Sequence, residues 1–263
     1  MDFETIILKK EKHIATLTLN RPESRNSINL KMETELMKAF QDVGEDPDVR
    51  VMVLTGAGKG FCAGADIKEP RYAPDITIQE ISRILRQIYR GTTLRLYNLE
   101  IPTIAMVNGV ATGWGFDLAL ACDIRIGSES ARFGSAFVRL GLTPATGGVW
   151  LMPRVTGFAK ACELIFTGDL IEAKEAERVG ILNKVTPAEE LVKETMALAT
   201  KIASSPPLAV KLAKLQLRQG LQTNLESAFE LGANCQSICM TSGDVREAIT
   251  AMLEKREPVF KGK

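Results

Sequence analysis

The sequence predicts an α/β fold in which a core of parallel strands is followed by a helical C-terminal region. Strand-like and helix-like segments alternate along the first part of the chain, which is the β-then-α order typical of a parallel sheet. From about residue 188 to residue 256, the apolar residues recur only at helical spacing. We therefore predict a mixed core over residues 1–190 and a helical region over residues 191–263, which packs on the core or on a neighbouring subunit.

The first elements of the core follow from their apolar patterns. Residues 13–19 read as a strand, and residues 51–54 form a short apolar run of the kind that fills a buried parallel strand. Between them, either Ser27 or Asn29 can cap a helix whose apolar residues recur at helical spacing up to Val43. This stretch therefore predicts one strand, one helix and a second strand.

The pattern continues along the chain. Ile81, Leu85 and Ile88 carry a second helical pattern, and strands are predicted at residues 103–107 and 124–126. Pro206 and Pro207 can open a long helix in the C-terminal region, since proline is well tolerated in a first helical turn.

Composition excludes several classes of protein. The 263 residues include 33 basic and 32 acidic side chains, so nothing in the net charge of +1 favours a nucleic acid or a membrane surface as partner. No apolar run is long enough to span a bilayer, and the acidic start lacks the features of a signal peptide. We expect a cytoplasmic protein that binds neither nucleic acid nor membrane.

The cysteines and the one histidine limit the possible chemistry. Five cysteines at irregular spacing do not suggest a disulfide framework, and core thiols are a better interpretation than a metal site for Cys235 and Cys239. His13 shares the parity of the apolar residues in the first predicted strand, so we interpret it as structural. A Ser-His-Asp triad and a His-based zinc site are therefore not expected, and we predict no bound metal.

Two glycine-rich segments each follow a predicted strand. Residues 60–68 follow the strand that ends at Gly56, and residues 108–117 follow the third strand. Small residues at such strand-to-helix turns leave backbone N–H groups exposed at a place where the helix dipole favours negative charge. Two such turns side by side would form a two-donor oxyanion hole; the alternative is that the glycines only mark tight turns.

Taken together and in this order, the segments resemble the crotonase (enoyl-CoA hydratase/isomerase) superfamily. The resemblance covers nearly the whole chain, and these blocks carry it: Asn20-Arg21-Pro22, Asn26, Gly56, Phe61 to Lys68, Ile101-Pro102, Asn108-Gly109, Cys122-Asp123-Ile124, Phe133-Gly134, Pro144, Gly147-Gly148, Leu164 to Gly168, Ala173 to Ala176, Gly180 and Phe260. It implies a spiral of ββα turns with a C-terminal helical region for trimerisation. It also implies a homotrimer or a dimer of trimers and an acyl-CoA thioester as substrate.

The resemblance places the oxyanion donors on the backbone N–H groups of Ala65 and Trp114. Relatives usually have glycine at the second position, but a main-chain donor does not require it. The first of the two carboxylates that hydratases of the family use falls on Asp117. The second is replaced by Phe137, which can neither donate nor accept a proton, and a further aspartate that some relatives use is Ala145 here.

Asp117 is therefore the one acid that we expect to act in catalysis, although it also suits a buried structural carboxylate or a helix cap. The substrate pocket is predicted to include Phe116 and Phe137 as apolar walls. Candidate polar groups near the reacting atoms are Arg139, Thr143 and Thr146, each of which also suits a structural role.

The resemblance further implies that coenzyme A lies across the loop of residues 63–68. We expect Ala63, Asp66, Ile67 and Lys68 in that loop to contact it, and Arg25 and Lys255 to meet its phosphates; solvated surface charge is the alternative for the basic residues. Coenzyme A is part of the substrate, so no separate cofactor is expected.

Three functional hypotheses follow. The first is an acyl-CoA enzyme of the enoyl-CoA hydratase/isomerase type that stabilises a thioester enolate, a lyase or isomerase of fatty acid metabolism. The second is a decarboxylase or hydrolase of a bulky or cyclic acyl-CoA, for which a missing acid matters least. The third is a non-catalytic binding protein that keeps the fold.

Overall fold

A six-stranded sheet forms the centre of the fold. The computed structural model describes residues 3–73 and 75–263, apart from the side chains of residues 88–90. The strands, in sheet order, are β1 (Ile6–Glu11), β2 (Ile14–Leu19), β3 (Val51–Gly56), β5 (Thr103–Val107), β7 (Ile124–Ser128) and β10 (Lys184–Thr186). β1 pairs antiparallel with β2, and the other neighbours are parallel. The predicted α/β core is therefore confirmed.

A second sheet of four short strands lies beside the first. In order, it contains β4 (Gly60–Cys62), β6 (Val110–Thr112), β8 (Arg132–Gly134) and β9 (Ile171–Glu172). β4, β6 and β8 each follow a strand of the large sheet after a short turn, so two strands come in succession before the chain enters its next helical segment. Repetition of this unit produces a spiral of ββα turns.

The helices are α1 (Leu30–Glu45), α2 (Ile78–Gly91), α3 (Thr93–Asn98), α4 (Trp114–Ala121), α5 (Gly148–Thr156), α6 (Phe158–Thr167), α7 (Ala173–Arg178), α8 (Leu191–Ala203), α9 (Pro207–Gly220), α10 (Leu225–Thr241) and α11 (Gly243–Glu254). Of the two predicted caps of α1, Asn29 is the one that accepts a hydrogen bond from the N–H of Met32, at 2.9 Å. The apolar face that the spacing predicts is buried, as Leu36 and Phe40 show.

His13 was predicted to lie in a strand, but it lies just outside β2. That strand begins at Ile14, and His13 sits in the tight turn between β1 and β2 with a φ of 67°. Its side chain is exposed, and Nδ1 is 2.8 Å from the carbonyl oxygen of Asp48. The strand parity assigned to His13 was therefore wrong, because the chain reverses direction there.

Two asparagines hold the turn between β3 and β4. Nδ2 of Asn26 donates to the carbonyls of Ala57 and Gly60, each at 2.9 Å. From the other side, Nδ2 of Asn108 donates to the carbonyls of Gly56 and Gly58, also at 2.9 Å, and to that of Gly60 at 3.3 Å. Side-chain amides thereby replace the backbone partners that this turn lacks.

The C-terminal helices contact the core to different extents. α8 packs on one face of the large sheet, where Ala199 and Ala203 join the apolar side chains of β3 and β5. α9 is held by Lys214, whose Nζ donates to the carbonyl of Ile101 at 2.7 Å and pairs with Asp123 at 2.6 Å. None of the helices in the described part of the chain has the length and apolar character needed to cross a bilayer.

Candidate active site

The first glycine-rich turn fixes the direction of the Ala65 N–H group. The carbonyl of Gly64 accepts from the N–H of Ile28 at 2.8 Å, and the N–H of Asp66 donates to the carbonyl of Ile28 at 2.9 Å. The C=O and N–H of a trans peptide point in opposite directions. Because the Gly64 carbonyl faces Ile28, the N–H of Ala65 in the same peptide points away from Ile28.

The second turn repeats this arrangement at the start of α4. Gly113 has a φ of 53°, and its carbonyl accepts from the N–H of Asp117 at 3.1 Å inside the helix. The N–H of Trp114 belongs to the same peptide, so it points outward from the helix N-terminus, where the helix dipole is positive.

The two turns lie against each other. Oγ1 of Thr112 donates to the carbonyl of Ala63 at 3.0 Å. Gly64 fits so closely that a Cβ added to it would be 2.9 Å from the carbonyl oxygen of Thr112 and 3.4 Å from the nitrogen of Trp114. The structure therefore brings together the two segments in which we predicted the oxyanion donors.

The side chain of Trp114 points into the interior. It is 1% exposed, and its Nε1 donates to Oγ1 of Thr93, on α3, at 2.9 Å. The indole is therefore linked to α3 through Thr93.

Asp117 lies one turn further along α4 and is 0% exposed. Its Oδ2 accepts hydrogen bonds from Oγ1 of Thr146 and, at 3.0 Å, from the N–H of Gly148 at the start of α5. Its Oδ1 is buried and has no hydrogen-bond partner among the described residues. Burial raises the pKa of this carboxyl to about 7, against the two hydrogen bonds, which lower it.

Gly148 makes this arrangement possible. A Cβ at position 148 would overlap Oδ1 of Asp117, so the carboxyl can pack on the start of α5 only because a glycine is there. A buried carboxyl with a pKa raised towards neutrality, in which one oxygen has two donors and the other has none among the described residues, is a candidate general acid–base group.

The other predicted pocket residues separate into two groups. The ring of Phe137 lies against Gly113, since a Cβ on Gly113 would be 3.8 Å from its Cζ. Phe116 instead lies in the core, where its ring packs on Phe133 with centroids 5.5 Å apart, so its assignment to the pocket is corrected. On the surface, Arg139 pairs with Asp169, and that pairing argues against a place beside Asp117.

Thr146 is the predicted polar residue that does contact Asp117. Thr143 is exposed, and no described hydrogen bond joins it to the carboxyl. Ala145 is at the position of the further aspartate that some relatives use, and it lines a cavity beside the site.

This cavity has a volume of about 430 Å³ and lies between α3 and the start of α5. Its wall includes Thr93, which holds the Trp114 indole, and Thr146, which holds the Asp117 carboxyl. Tyr97 and Trp150 supply its aromatic surface. The cavity is thus in contact with the groups that position both the second donor turn and the acid.

The loop predicted to contact coenzyme A lies partly at the surface. Ala63, Ile67 and Lys68 are exposed, and the N–H of Ala63 donates to the carbonyl of Arg25 at 3.0 Å. Arg25 is therefore next to the loop, and its contact with the phosphates of coenzyme A stays a prediction. Asp66, in contrast, faces inward.

Asp66 is part of the loop's internal structure. It pairs with Arg21 at 3.0 Å and accepts from the N–H of Lys68 at 3.1 Å. These partners outweigh its partial burial and lower its pKa. Lys255 is exposed at the end of α11, and no described contact joins it to this loop.

Thr93, Tyr97, Gly148 and Trp150 had no assigned role in the sequence analysis. Gly148 was one of the matching blocks, but its contact with Asp117 depends on two helices that are thirty residues apart. Thr93 and Tyr97 come from a helix of only six residues, which is too short for its periodicity to stand out. Across the described residues, no group of three or more His, Cys, Asp or Glu side chains is placed to hold a metal ion.

Comparisons with known proteins agree with this geometry. The family model described as enoyl-CoA hydratase/isomerase matches residues 9–263. The chain is 39% identical to a crotonyl-CoA hydratase of Syntrophomonas wolfei, over 99% of both chains. It is 38% identical to a 1,2-epoxyphenylacetyl-CoA isomerase of Escherichia coli, again over 99% of both.

Solved structures show the same fold. An enoyl-CoA hydratase from Bacillus anthracis superposes with a TM-score of 0.94 at 35% identity, covering 99% of this chain and 100% of that one. The match over nearly the full length confirms both the predicted fold and the resemblance. The chain belongs to the enoyl-CoA hydratase/isomerase family.

Proposed function

We propose that this protein isomerises an enoyl-CoA thioester by shuttling one proton on Asp117. The observation that carries the proposal is the buried carboxyl of Asp117. One of its oxygens is held by Thr146 and Gly148, and the other has no partner among the described residues. Its helix begins at Trp114, the predicted second oxyanion donor.

The proposed reaction needs one base and one electrostatic site. The Asp117 carboxylate takes a proton from C2 of a 3-enoyl thioester, and the electron pair moves onto the thioester oxygen. The N–H groups of Ala65 and Trp114 stabilise that oxygen; losing one such donor typically costs about a hundred- to a thousandfold in rate. The same carboxyl then returns the proton to C4, which leaves a C2–C3 double bond. No electrons are transferred overall, so the reaction calls for no cofactor.

Phe137 favours isomerisation over hydration. Adding water across a double bond requires a positioned water molecule as well as the transferred proton. Hydratases of the family use a second carboxylate to position that water molecule. Phe137 occupies that position, and its ring lies on Gly113 beside the second donor turn. The relatives do not decide the matter, since hydratase and isomerase names occur at 39% and 38% identity.

We place the substrate along the surface that joins these groups. The acyl group enters the cavity between α3 and α5, next to Thr93 and Thr146. Coenzyme A lies across the exposed loop at Ala63 and Ile67, with Arg25 and Lys68 close enough in the fold to meet its phosphates.

The test compares two reactions in one preparation. The wild-type protein is assayed for conversion of a 3-enoyl-CoA to the 2-enoyl-CoA and for hydration of crotonyl-CoA. We expect isomerisation to dominate and to fall at least about a hundredfold in Asp117→Asn, since general acid–base catalysis is typically worth that much. Full isomerase activity in Asp117→Asn, or hydration faster than isomerisation in the wild type, would refute the proposal.

Decarboxylation is the second candidate, and Phe137 is the observation that favours it. Loss of CO₂ from a malonyl-type thioester forms the same enolate and depends mainly on the oxyanion donors in an apolar setting. A panel of malonyl-type and bulky acyl-CoAs, followed by mass spectrometry, tests decarboxylation and thioester hydrolysis together. Calorimetric binding of acyl-CoA without turnover of any panel member would instead identify a non-catalytic binding protein.

A further inference from the structure

Two aromatic rings form a right-angled corner in the cavity beside the site. Tyr97 comes from α3 and Trp150 from α5, and both line the cavity. Their ring centroids are 5.5 Å apart, and their planes meet at 88°. Leu94 and Leu151 complete the apolar wall.

Both rings are fixed by guanidinium groups. Cζ of Arg218 lies 3.7 Å from the centroid of Tyr97, and Cζ of Arg154 lies 3.8 Å from the centroid of Trp150. Arg218 is in turn paired with Asp123 at 2.7 Å. Because these side chains are already held in place, a ligand that binds does not have to immobilise them. Less of the binding free energy is therefore lost to the entropy of ordering the side chains.

The shape and size of this space suit a planar ring. Aromatic rings prefer offset-stacked and edge-to-face contacts, and a right-angled corner offers one of each to a third ring. An engineered apolar cavity of about 150 Å³ holds benzene, so a volume of about 430 Å³ accommodates a ring and the chain that carries it. A four-carbon acyl chain would leave most of the apolar wall uncovered.

We propose that the natural substrate is an acyl-CoA whose acyl chain ends in a phenyl-like ring that packs into the corner of Tyr97 and Trp150. This inference rests on the proposed function for the location of the thioester beside Ala65 and Trp114. It adds the substrate class, which neither the donor turns nor Asp117 determine.

The experiment uses two substrates with the same number of carbon atoms. 5-Phenylpent-3-enoyl-CoA carries the ring, and linear 3-undecenoyl-CoA is its match. A linear hexyl group is more hydrophobic than phenyl, so simple apolar burial favours the linear substrate. We expect kcat/KM to be higher for the phenyl substrate, by about two- to tenfold for each of the two rings against which its phenyl group packs.

Variants then test the corner itself. Trp150→Leu and Tyr97→Leu keep an apolar wall but remove a ring, and we expect each to lower the ratio of the two kcat/KM values by about two- to tenfold, the share of the ring that it removes. Phe166→Leu is the matched control, because this aromatic residue is exposed on α6 and does not line the cavity. We expect that control to keep the wild-type ratio of the two kcat/KM values.

A binding experiment separates this inference from the proposed reaction. Calorimetry with 5-phenylpentanoyl-CoA and undecanoyl-CoA measures the ring preference without any chemistry. Tighter binding of the phenyl compound supports the inference even if neither enoyl-CoA is isomerised, a result that would sink only the proposed function. Equal or tighter binding of the linear compound, or a preference that neither variant lowers, would overturn the inference.

Discussion

The pKa of the Asp117 carboxyl lies well above the ordinary range of an aspartate. Its pKa is raised to about 7 because burial disfavours the charged form by more than Thr146 and Gly148 favour it. A group with this pKa accepts and releases a proton at little cost, which suits a reaction that needs both steps. In the proposed reaction the second oxygen carries the proton, because the first is already held by two donors.

The pH dependence of the rate should therefore follow Asp117. The carboxylate is the base in the proposed reaction, so kcat/KM for the 3-enoyl-CoA should fall about tenfold per pH unit below pH 7 and level off above it. Initial rates measured between pH 5 and 9 test this decrease. A rate that stays constant down to pH 5 would contradict this prediction, because the base would then titrate in the ordinary range of an aspartate, near pH 4.

Gly148→Ala should damage catalysis without removing the Asp117 carboxyl. The added methyl group overlaps Oδ1 of Asp117 and pushes the carboxyl aside. Misplacement by about 1 Å can cost about a hundredfold in rate, so we expect kcat to fall by roughly that factor. Gly220→Ala is the control, because a Cβ there meets nothing within 4 Å and should leave the rate unchanged. Similar rates in both variants would contradict this interpretation of the contact.

At the scale of elements, α3 connects the cavity to the second donor turn. Thr93 accepts from the indole of Trp114, and Tyr97, one turn later, lines the aromatic corner. Movement of α3 would therefore change the shape of the cavity. It would also change the support of the helix that carries Trp114 and Asp117.

Thr93→Val tests this connection. The substitution keeps the side-chain shape but removes the buried acceptor of the indole N–H, so we expect a loss of about 1–3 kcal/mol in the free energy of unfolding. We also expect kcat to decrease more than KM changes. Thr93→Ser keeps the hydroxyl and should behave like the wild type in both urea unfolding and kinetics. An unchanged kcat in the valine variant would show that the hydrogen bond only stabilises the fold.

Sequence patterns predicted the long elements of this fold but not the short ones. The strands at residues 51–56 and 103–107 were found because their apolar runs are continuous, and the cap at Asn29 was one of two candidates. β4, β6 and β8 have three residues each, which is too few for a period to be visible. β1 was missed because its sequence mixes apolar and charged residues.

The same limit applies to the site. The two donor turns and Asp117 lie within short motifs, so their neighbourhood could be predicted from the resemblance. The corner of Tyr97 and Trp150 joins residues more than fifty positions apart, and only the packing of α3 against the start of α5 reveals it. Phe116 was predicted as an apolar wall of the pocket, but its side chain is buried and packs on Phe133.

For the whole molecule, the C-terminal helices leave a large apolar surface uncovered. Leu217, Leu221, Leu225 and Phe229 lie on or next to α9 and α10, and each is at least 65% exposed. Monomeric proteins rarely expose so many neighbouring large apolar side chains. We propose that this surface contributes to a homotrimer or a dimer of trimers.

Light scattering after gel filtration tests the assembly. A trimer or hexamer of the 28.7 kDa chain is expected for the wild type. Phe229→Glu places a charge on the uncovered surface and should shift the mass towards that of a monomer, whereas Lys9→Glu, on the distant strand β1, should not. A wild-type protein that remains monomeric at micromolar concentration would contradict the proposal.

The turn held by Asn26 and Asn108 also affects how the protein ages. Asn108 is followed by Gly109, and an asparagine before glycine loses its side-chain amide most readily, because the unhindered glycine nitrogen attacks it. The product is a carboxylate, which only accepts hydrogen bonds and would face the three carbonyl oxygens that the amide now bridges. The turn between β3 and β4, and with it the Ala65 loop that follows, would loosen. Stored samples should therefore lose activity in step with the appearance of aspartate or isoaspartate at position 108 in peptide maps.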